Sequence, residues 1–257
     1  SLRLPGRQQA LADSILATGT PTATVLLNGR PLAIPQLAEE APAILEAWYP
    51  GTEAGPAVAD LVFGDAVPSG KLPVSIPRNV GQVPIYYNHV STGRPPKAET
   101  DYTSRYLDTP WTALFPFGHG LSYTTFAYDA PRVSTDSLVV GDTLTVKVDL
   151  ANTGDRTGTE VAQLYVEDPV ASITRPVREL RDFARVELEP GATKTVSFRV
   201  TMEDLAYMNR DTERVVEPGR FHLHVGPSST DTKTVSFRLV GSTTYLPRPT
   251  VDGRADR

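Results

Sequence analysis

The residues best suited to chemistry lie in a long irregular stretch, residues 78–111, which is rich in proline, tyrosine and polar side chains. Loops of this length are uncommon unless they bind a ligand or wrap a neighbouring domain. Tyrosine rings can stack on the apolar faces of sugars, and guanidinium, imidazole and amide groups can bond sugar hydroxyls. The stretch therefore predicts a carbohydrate-binding loop, with His89, Arg94, Tyr102 and Arg105 as candidate substrate-binding residues.

A structural interpretation competes with this one, because half-buried tyrosines also pack between loops and Arg105 could pair with a nearby carboxylate. Both interpretations stay open for His89 and Arg94, at the tip of the loop. The structural one is favoured for four residues: Tyr102, Arg105, Tyr106 and Asp108. The stretch contains no nucleophile and base at a catalytic spacing.

Two other motifs raise the question of a metal or a cofactor. His222 and His224 are two residues apart on a predicted strand, but they alternate with apolar residues, so the solvent face is expected and no third ligand is evident. Gly51 and Gly55 precede a predicted helix at a spacing that fits neither a dinucleotide nor a triphosphate loop. We therefore predict no metal and no cofactor.

Composition excludes several classes of function. The chain has 257 residues, a net charge of −5 and 40% apolar residues, which indicates a globular protein and argues against nucleic acid or an anionic membrane as its partner. The absence of cysteine excludes disulfides, thiolate metal sites and a cysteine nucleophile. No apolar run approaches the roughly 20 residues of a membrane span. The start at Ser1, without methionine, suggests a piece of a longer protein.

The first 77 residues predict an α/β layer. Apolar residues at spacings of three and four indicate a helix that begins near Pro5 and ends at Gly19. Residues 23–27 and 43–48 are apolar runs typical of buried strands.

Two further local patterns complete this stretch. A turn at residues 28–31 is expected to fold the first strand back into residues 32–34, and residues 57–63 form a second predicted helix. So few elements cannot close a doubly covered parallel sheet, so we expect the layer to be completed by residues outside this chain.

The remainder of the chain predicts a β-sandwich. Apolar and polar residues alternate in four runs: 144–150, 196–200, 221–225 and 235–239. Turn signals separate the runs, and about seven strands at such spacing, without helices, are typical of an immunoglobulin-like or fibronectin-type sandwich. The fold class is thus a partial α/β layer followed by an all-β sandwich.

An aromatic and glycine-rich segment, residues 114–126, joins the two parts. A run so dense in aromatic rings and glycines is expected to form a rigid, buried connection rather than a flexible tether. His119 in this segment is interpreted as a packing and hydrogen-bonding residue rather than a catalytic one.

Several motifs carry a family resemblance over nearly the whole chain. They are LRLPGRQ (2–8), LLNGRPL (26–32), AWYPGTEAG (47–55), LVFGD (61–65), PSGKLP (68–73), VGQVPIYY (80–87), TGRP (92–95), YTSRY (102–106), FPFGHGLSY (115–123), RPVREL (175–180) and EPGRF (217–221). In this order they resemble the C-terminal half of a glycoside hydrolase family 3 enzyme, and most closely the bacterial periplasmic β-glucosidases of that family.

The resemblance implies a parent enzyme with an N-terminal barrel, an α/β sandwich and a fibronectin type III-like domain. Such an enzyme is a retaining, exo-acting β-glucosidase, or alternatively a β-xylosidase, that uses two carboxyl groups about 5–5.5 Å apart. In the family, the nucleophilic aspartate lies on the barrel and the acid/base glutamate lies a few residues upstream of the Leu-x-Leu-Pro run. This chain starts at that run, so we expect no catalytic residue in it. Four glutamates do not match the acid/base position: Glu39, Glu40, Glu46 and Glu53.

The resemblance also implies partners and a location. The substrate is a β-linked oligosaccharide or glucoside, and the barrel-bearing N-terminal segment accompanies this chain, either as a separate chain or as a lost half. A homodimer is a further possibility. The location is periplasmic or secreted in a bacterium, with the cytoplasm left open.

The resemblance sets the predicted division of the chain. Residues 1–77 end the α/β domain, 78–120 form the loop and connection, 121–241 form the fibronectin-like domain and 242–257 form a tail. The alternative from another class of protein is a stand-alone carbohydrate-binding or adhesion module.

Overall fold

A computed structural model describes residues 1–97, 99–100 and 102–247 of the chain. They divide into two compact units. Unit 1 consists of Ser1–Tyr87 and Arg94–Ser122, and unit 2 consists of Asn88–Gly93 and the residues from Tyr123 onward. An α/β layer in unit 1 and an all-β sandwich in unit 2 confirm the predicted fold class.

Unit 1 holds the mixed helix and strand elements. Its helices are α1 (Gln8–Leu16), α2 (Pro35–Glu40) and α3 (Ala54–Phe63), with a short 3₁₀ helix at Val80–Gln82. Its strands β1 (Ala23–Leu26) and β2 (Ala43–Glu46) pair in parallel, with Ala23 opposite Ala43. The two strands and the helices α1 and α3 therefore lie where the apolar patterns predicted them.

The predicted return of the chain into residues 32–34 is wrong. Leu32 and Ile34 lie in no strand, and the next residue, Pro35, begins α2 instead. Proline has a fixed φ and no amide hydrogen, so it favours the first turn of a helix. The intervening α2 lets β2 run parallel to β1, because parallel strands need a crossover connection.

The core of unit 1 is small. Four buried apolar residues form it: Leu26, Leu32, Ile34 and Leu37. Neither α1 nor α3 contains a buried residue. Leu11 on α1 is 61% exposed and Phe63 at the end of α3 is 81% exposed. An open, largely apolar groove of about 450 Å³ runs along α1 and β1.

Part of the aromatic segment 114–126 pairs with residues 70–76 inside unit 1. Ile76 and Phe115 form an antiparallel bridge, and the Leu72 amide donates to the His119 carbonyl at 2.8 Å. The imidazole of His119 stacks on the ring of Phe115 with centroids 5.3 Å apart. Burial lowers the pKa of His119, and the nearby Lys71 charge lowers it further. The stacking on Phe115 supports the packing role predicted for His119.

Unit 2 carries twelve strands and one helical turn among the described residues. They are β3 (Phe126–Tyr128), β4 (Arg132–Val133), β5 (Ser137–Val139), β6 (Leu144–Asn152), β7 (Gly158–Glu167), β8 (Glu179–Leu188), β9 (Thr193–Val200), α4 (Met202–Leu205), β10 (Tyr207–Met208), β11 (Arg214–Val216), β12 (Gly219–Gly226), β13 (Lys233–Val240) and β14 (Thr244–Leu246).

Two of the sheets enclose the core of the sandwich. One sheet has the order β5-β13-β12-β7-β8, and in the other β6 pairs with β3, β4 and β9. Their inward residues, such as Phe198 and Phe221, form one buried apolar cluster. All four predicted alternating runs lie in strands of these sheets, namely β6, β9, β12 and β13.

Asn152 fixes the start of the sandwich to the end of β6. It is 1% exposed, and its Oδ1 accepts from the Thr124 hydroxyl at 2.6 Å. Its Nδ2 donates to the carbonyls of Arg156 at 2.7 Å and Leu188 at 2.9 Å. This one side chain therefore links Thr124, which precedes β3, to the turn after β6 and to the end of β8.

A third, small sheet has the order β10-β11-β14. In the predicted tail 242–257, β14 pairs antiparallel with β11, and residues 248–257 lie outside the described part of the chain. The predicted domain boundaries at 77, 120 and 241 stay a prediction. Within the described residues, no helix combines the length and the apolar character needed to cross a bilayer.

Candidate functional site

Arg94, Tyr102 and Arg105 lie in a loop of unit 1 that is held by short-range hydrogen bonds. The Ser104 amide donates to the Arg94 carbonyl at 3.0 Å, and the Arg105 Nε donates to the Thr100 carbonyl at 3.2 Å. Tyr102 is 85% exposed, so most of its ring faces solvent, as stacking on a sugar requires. Arg105 is half-buried and fastens the turn.

His89 belongs to unit 2, whereas the other three candidates belong to unit 1. Its side chain is exposed, and its Nδ1 is 3.2 Å from the Val90 carbonyl oxygen. Its own carbonyl accepts a hydrogen bond from the Val177 amide at 2.9 Å. Val90 forms an antiparallel bridge with Pro176. The main chain at His89 and Val90 is therefore paired with the connection between β7 and β8.

Gln82 holds the base of the long loop, and sequence reasoning missed it. It is 2% exposed; its Oε1 accepts from the Arg78 amide at 2.6 Å, and its Nε2 donates to the Pro110 carbonyl at 2.7 Å. These bonds tie the chain entering the loop to the chain leaving it. The available signal was the pair Asn79 and Gln82, three residues apart, which forms a capping box around the 3₁₀ helix.

Of the four glutamates considered for the acid/base position, Glu46 alone is half-buried and the other three are exposed. Burial raises the pKa of Glu46, while hydrogen bonds from the Trp48 amide and the Asn28 side chain lower it. The Trp48 amide is 3.2 Å from Glu46 Oε1, and Trp48 has a φ of 52°, in the left-handed region. Glu46 thus stabilises the turn after β2, which is a structural role.

A buried ionic cluster lies where β7 connects to β8, and sequence reasoning missed it too. The side chains of Arg175 and Asp168 are 5% and 3% exposed, and the Arg175 guanidinium is 3.4 Å from an Asp168 oxygen and 2.9 Å from a Glu179 oxygen. Burial raises the pKa of Asp168 to about 6, although the Arg175 charge lowers it. The guanidinium also lies 4.5 Å from the centre of the Tyr207 ring. The only sequence signal was the RPVREL motif.

The expectation that both histidines of β12 face solvent is wrong for His224. It is 6% exposed, with Nε2 2.8 Å from a Glu167 oxygen and Nδ1 2.8 Å from the Thr234 hydroxyl. Burial lowers the pKa of His224, and the bond to Glu167 opposes that shift. Flanking side chains on β7 and β13 cover the ring, which strand alternation cannot show. Among the described residues, no three His, Asp or Glu side chains are grouped so as to hold a metal ion.

Comparison with known families assigns both parts of the chain. Residues 1–123 match the family described as Glycosyl hydrolase family 3 C-terminal domain. Residues 160–229 match the Fibronectin type III-like domain.

Curated relatives match almost the entire chain. A periplasmic β-glucosidase of Salmonella typhimurium is 45% identical over 242 residues, covering 93% of this chain and 32% of the relative. A β-xylosidase of Formosa agariphila is 47% identical over 244 residues, with the same two coverages of 93% and 32%. The chain thus spans about a third of the length of these relatives.

Solved structures show the same fold. A β-glucosidase of Listeria innocua in complex with gluconolactone is similar with a TM-score of 0.90 and 43% identity, over 94% of this chain and 34% of that chain. A β-glucosidase of Erythrobacter marinus is similar with a TM-score of 0.87 and 46% identity, over 93% of this chain and 31% of that chain.

Proposed function

Because this chain belongs to glycoside hydrolase family 3, we propose that it forms the C-terminal portion of a retaining, exo-acting β-glucosidase. The parent enzyme hydrolyses terminal non-reducing β-D-glucosyl residues of oligosaccharides or glucosides. Its nucleophilic aspartate and acid/base glutamate lie on an upstream segment, and this chain alone is inactive. The relative from Salmonella typhimurium is a periplasmic β-glucosidase, which supports this activity and a periplasmic or secreted location.

The observation that carries the proposal is the incomplete α/β layer of unit 1. In the described residues, β1 and β2 form a sheet of two strands. The helices α1 and α3 bury none of their residues, although they carry large apolar side chains such as Leu11 and Phe63. Such a surface is costly in water, because each large apolar side chain gains about 1.5–3 kcal/mol on burial. We propose that the upstream, barrel-bearing segment covers it, as part of the same chain or as a separate one.

The first test is assembly. The chain alone is expected to leave an aryl β-glucoside intact, and mixing it with the upstream segment of the parent enzyme is expected to restore hydrolysis. Replacing Leu11 and Phe63 by lysine should lower the restored activity at subsaturating chain concentration by about tenfold or more, since two apolar contacts are lost. Both side chains are already mostly exposed, so the isolated variant should keep its fold.

The matched control for assembly is Val139→Lys on β5 of unit 2, where the side chain is 55% exposed; it should assemble normally. Hydrolysis by the isolated chain at the rate of a full-length relative would overturn the proposal. A soluble monomer with cooperative unfolding would favour the stand-alone module. Running the assay with an aryl β-xyloside in parallel decides the sugar, since the relative from Formosa agariphila is a β-xylosidase.

We further propose that His89, Arg94, Tyr102 and Arg105 contact the sugar in the assembled enzyme or in a homodimer of it. The exposed ring of Tyr102 suits stacking, and the imidazole of His89 is exposed as well. No contact to a nucleic acid or a membrane is proposed for this surface.

The second test addresses this loop. His89→Ala and Arg94→Ala in the assembled enzyme are each expected to raise KM for a disaccharide about two- to tenfold with little change in kcat, since each removes about one hydrogen bond. The control is Arg199→Ala, an exposed side chain on β9 of the sandwich. Unchanged kinetics on disaccharides for both variants would assign the loop a structural role.

A further inference from the structure

The connection between β7 and β8, residues 168–178, is anchored by the buried side chain of Arg175. Its guanidinium bonds Asp168 at the start of the connection and Glu179 at the start of β8. It also lies within 3.5 Å of the Leu205 carbonyl oxygen and stacks over the ring of Tyr207. Because the guanidinium is planar and presents several donors in a rigid fork, one side chain can hold all these groups at once.

A second arginine anchors the same connection three residues later. Arg178 donates from its guanidinium to the Ser229 carbonyl at 2.5 Å, in the turn between β12 and β13. Pro176 and Val177 therefore lie between two anchors, one on each side. A dipeptide held in this way offers a main chain of fixed position and direction.

The main chain of Pro176 and Val177 pairs with the segment Asn88–Gly93. Pro176 bridges Val90, and the Val177 amide donates to the His89 carbonyl at 2.9 Å. All six residues of the segment are exposed, so burial of side chains contributes little to holding it. Main-chain pairing with Pro176 and Val177 is therefore an interaction that helps to set the position of His89. Segments with few buried contacts open readily when such pairing is lost.

We infer that Arg175 and Arg178 are positioning residues for His89, acting through the main chain of Pro176 and Val177. In that role, the connection between β7 and β8 of the fibronectin-like domain holds a short piece of the long loop in place. The link to sugar binding rests on the function proposed above for His89. The positioning itself does not, and it can be measured without any substrate.

The test compares hydrogen exchange in the full chain and in two variants of Arg178. Arg178→Met removes the bond to Ser229, and amides in the peptides covering 86–93 and 172–180 are expected to exchange about tenfold faster, the effect of losing one bond from a charged donor. Arg178→Lys keeps one charged donor and should restore part of the protection. Arg199→Met, an exposed arginine on β9, is the matched control and should exchange like the wild type.

The outcomes separate positioning from general stability. Unchanged exchange of residues 86–93 in Arg178→Met overturns the inference, and so does equally faster exchange in β6, which would show loosening of the whole sandwich. Arg175→Met should have the larger effect, but it leaves Asp168 buried without its charged partner. If Arg175→Met does not fold, the comparison of Arg178→Met with Arg178→Lys tests the inference by itself.

Kinetics of the assembled enzyme then separate the inference from the proposed function. Faster exchange together with a raised KM and an unchanged kcat in Arg178→Met, reversed in Arg178→Lys, supports both. Faster exchange with an unchanged KM supports the positioning and overturns the sugar-binding role of His89.

Discussion

Gly120→Ala is expected to destabilise unit 1 by about 3 kcal/mol, a large effect for the addition of one methyl group. A Cβ at this position would lie 2.1 Å from the carbonyl oxygen of Gly70, a main-chain atom that cannot rotate away. The same contact includes a hydrogen bond from Lys71 Nζ to the Gly120 carbonyl at 3.0 Å. Relief of the clash must therefore separate the segment around Gly120 from the segment around Gly70.

Tryptophan fluorescence during urea denaturation measures the stability of unit 1, where Gly120 lies. The chain has two tryptophans, and both, Trp48 and Trp111, lie in unit 1. The matched control is Gly70→Ala on the opposite side of the same contact, where a Cβ meets no atom within 4 Å and the φ is not in the left-handed region. Equal unfolding midpoints for the two variants would show that this close approach does not constrain the fold.

Asp168→Asn is expected to remove a pH dependence of the stability of unit 2. The folded-state pKa of Asp168 is about 6, whereas an unfolded aspartate has a pKa of about 3.9. Between these values the folded state binds more protons than the unfolded state, so the free energy of unfolding falls as pH rises. The wild type should lose roughly 2 kcal/mol from this group between pH 4.5 and pH 8, and the asparagine variant should not.

The measurement is urea denaturation followed by circular dichroism in the β-sheet region at the two pH values, and the quantity compared is the difference between wild type and variant. Asp155→Asn, an exposed aspartate after β6, is the control, and its difference from the wild type should not change with pH. A wild type that gains stability relative to Asp168→Asn as pH rises would contradict a raised pKa of the buried Asp168 carboxyl.

The sequence by itself determined the strands that have one solvent-exposed face and one buried face. The runs in β6, β9, β12 and β13 alternate because their outward residues are polar, and local periodicity suffices to show this. The periodicity of the sequence did not reveal β7, where nearly every residue is buried. A strand covered on both faces has no alternation of apolar and polar residues to detect. The motif series likewise identified the family without any knowledge of contacts.

Local sequence patterns predicted less where the path of the chain or the burial of a side chain depended on residues distant in the sequence. The turn at 28–31 and the apolar residues after it fit a hairpin as well as a crossover, and the parallel pairing of β1 with β2 decided between them. In the same way, strand alternation placed His224 on the outer face of its sheet, and only Glu167 and Thr234 on the neighbouring strands determine that it is buried there.

The candidate site shows the same division between local and distant information. The sequence by itself determined that an exposed loop carries His89, Arg94, Tyr102 and Arg105. Only the tertiary structure decided that His89 belongs to the sandwich and the other three to unit 1, because that depends on main-chain pairing with residues nearly ninety positions away. It also revealed Gln82 and the Arg175 cluster, whose roles arise from long-range hydrogen bonds that no spacing in the sequence records.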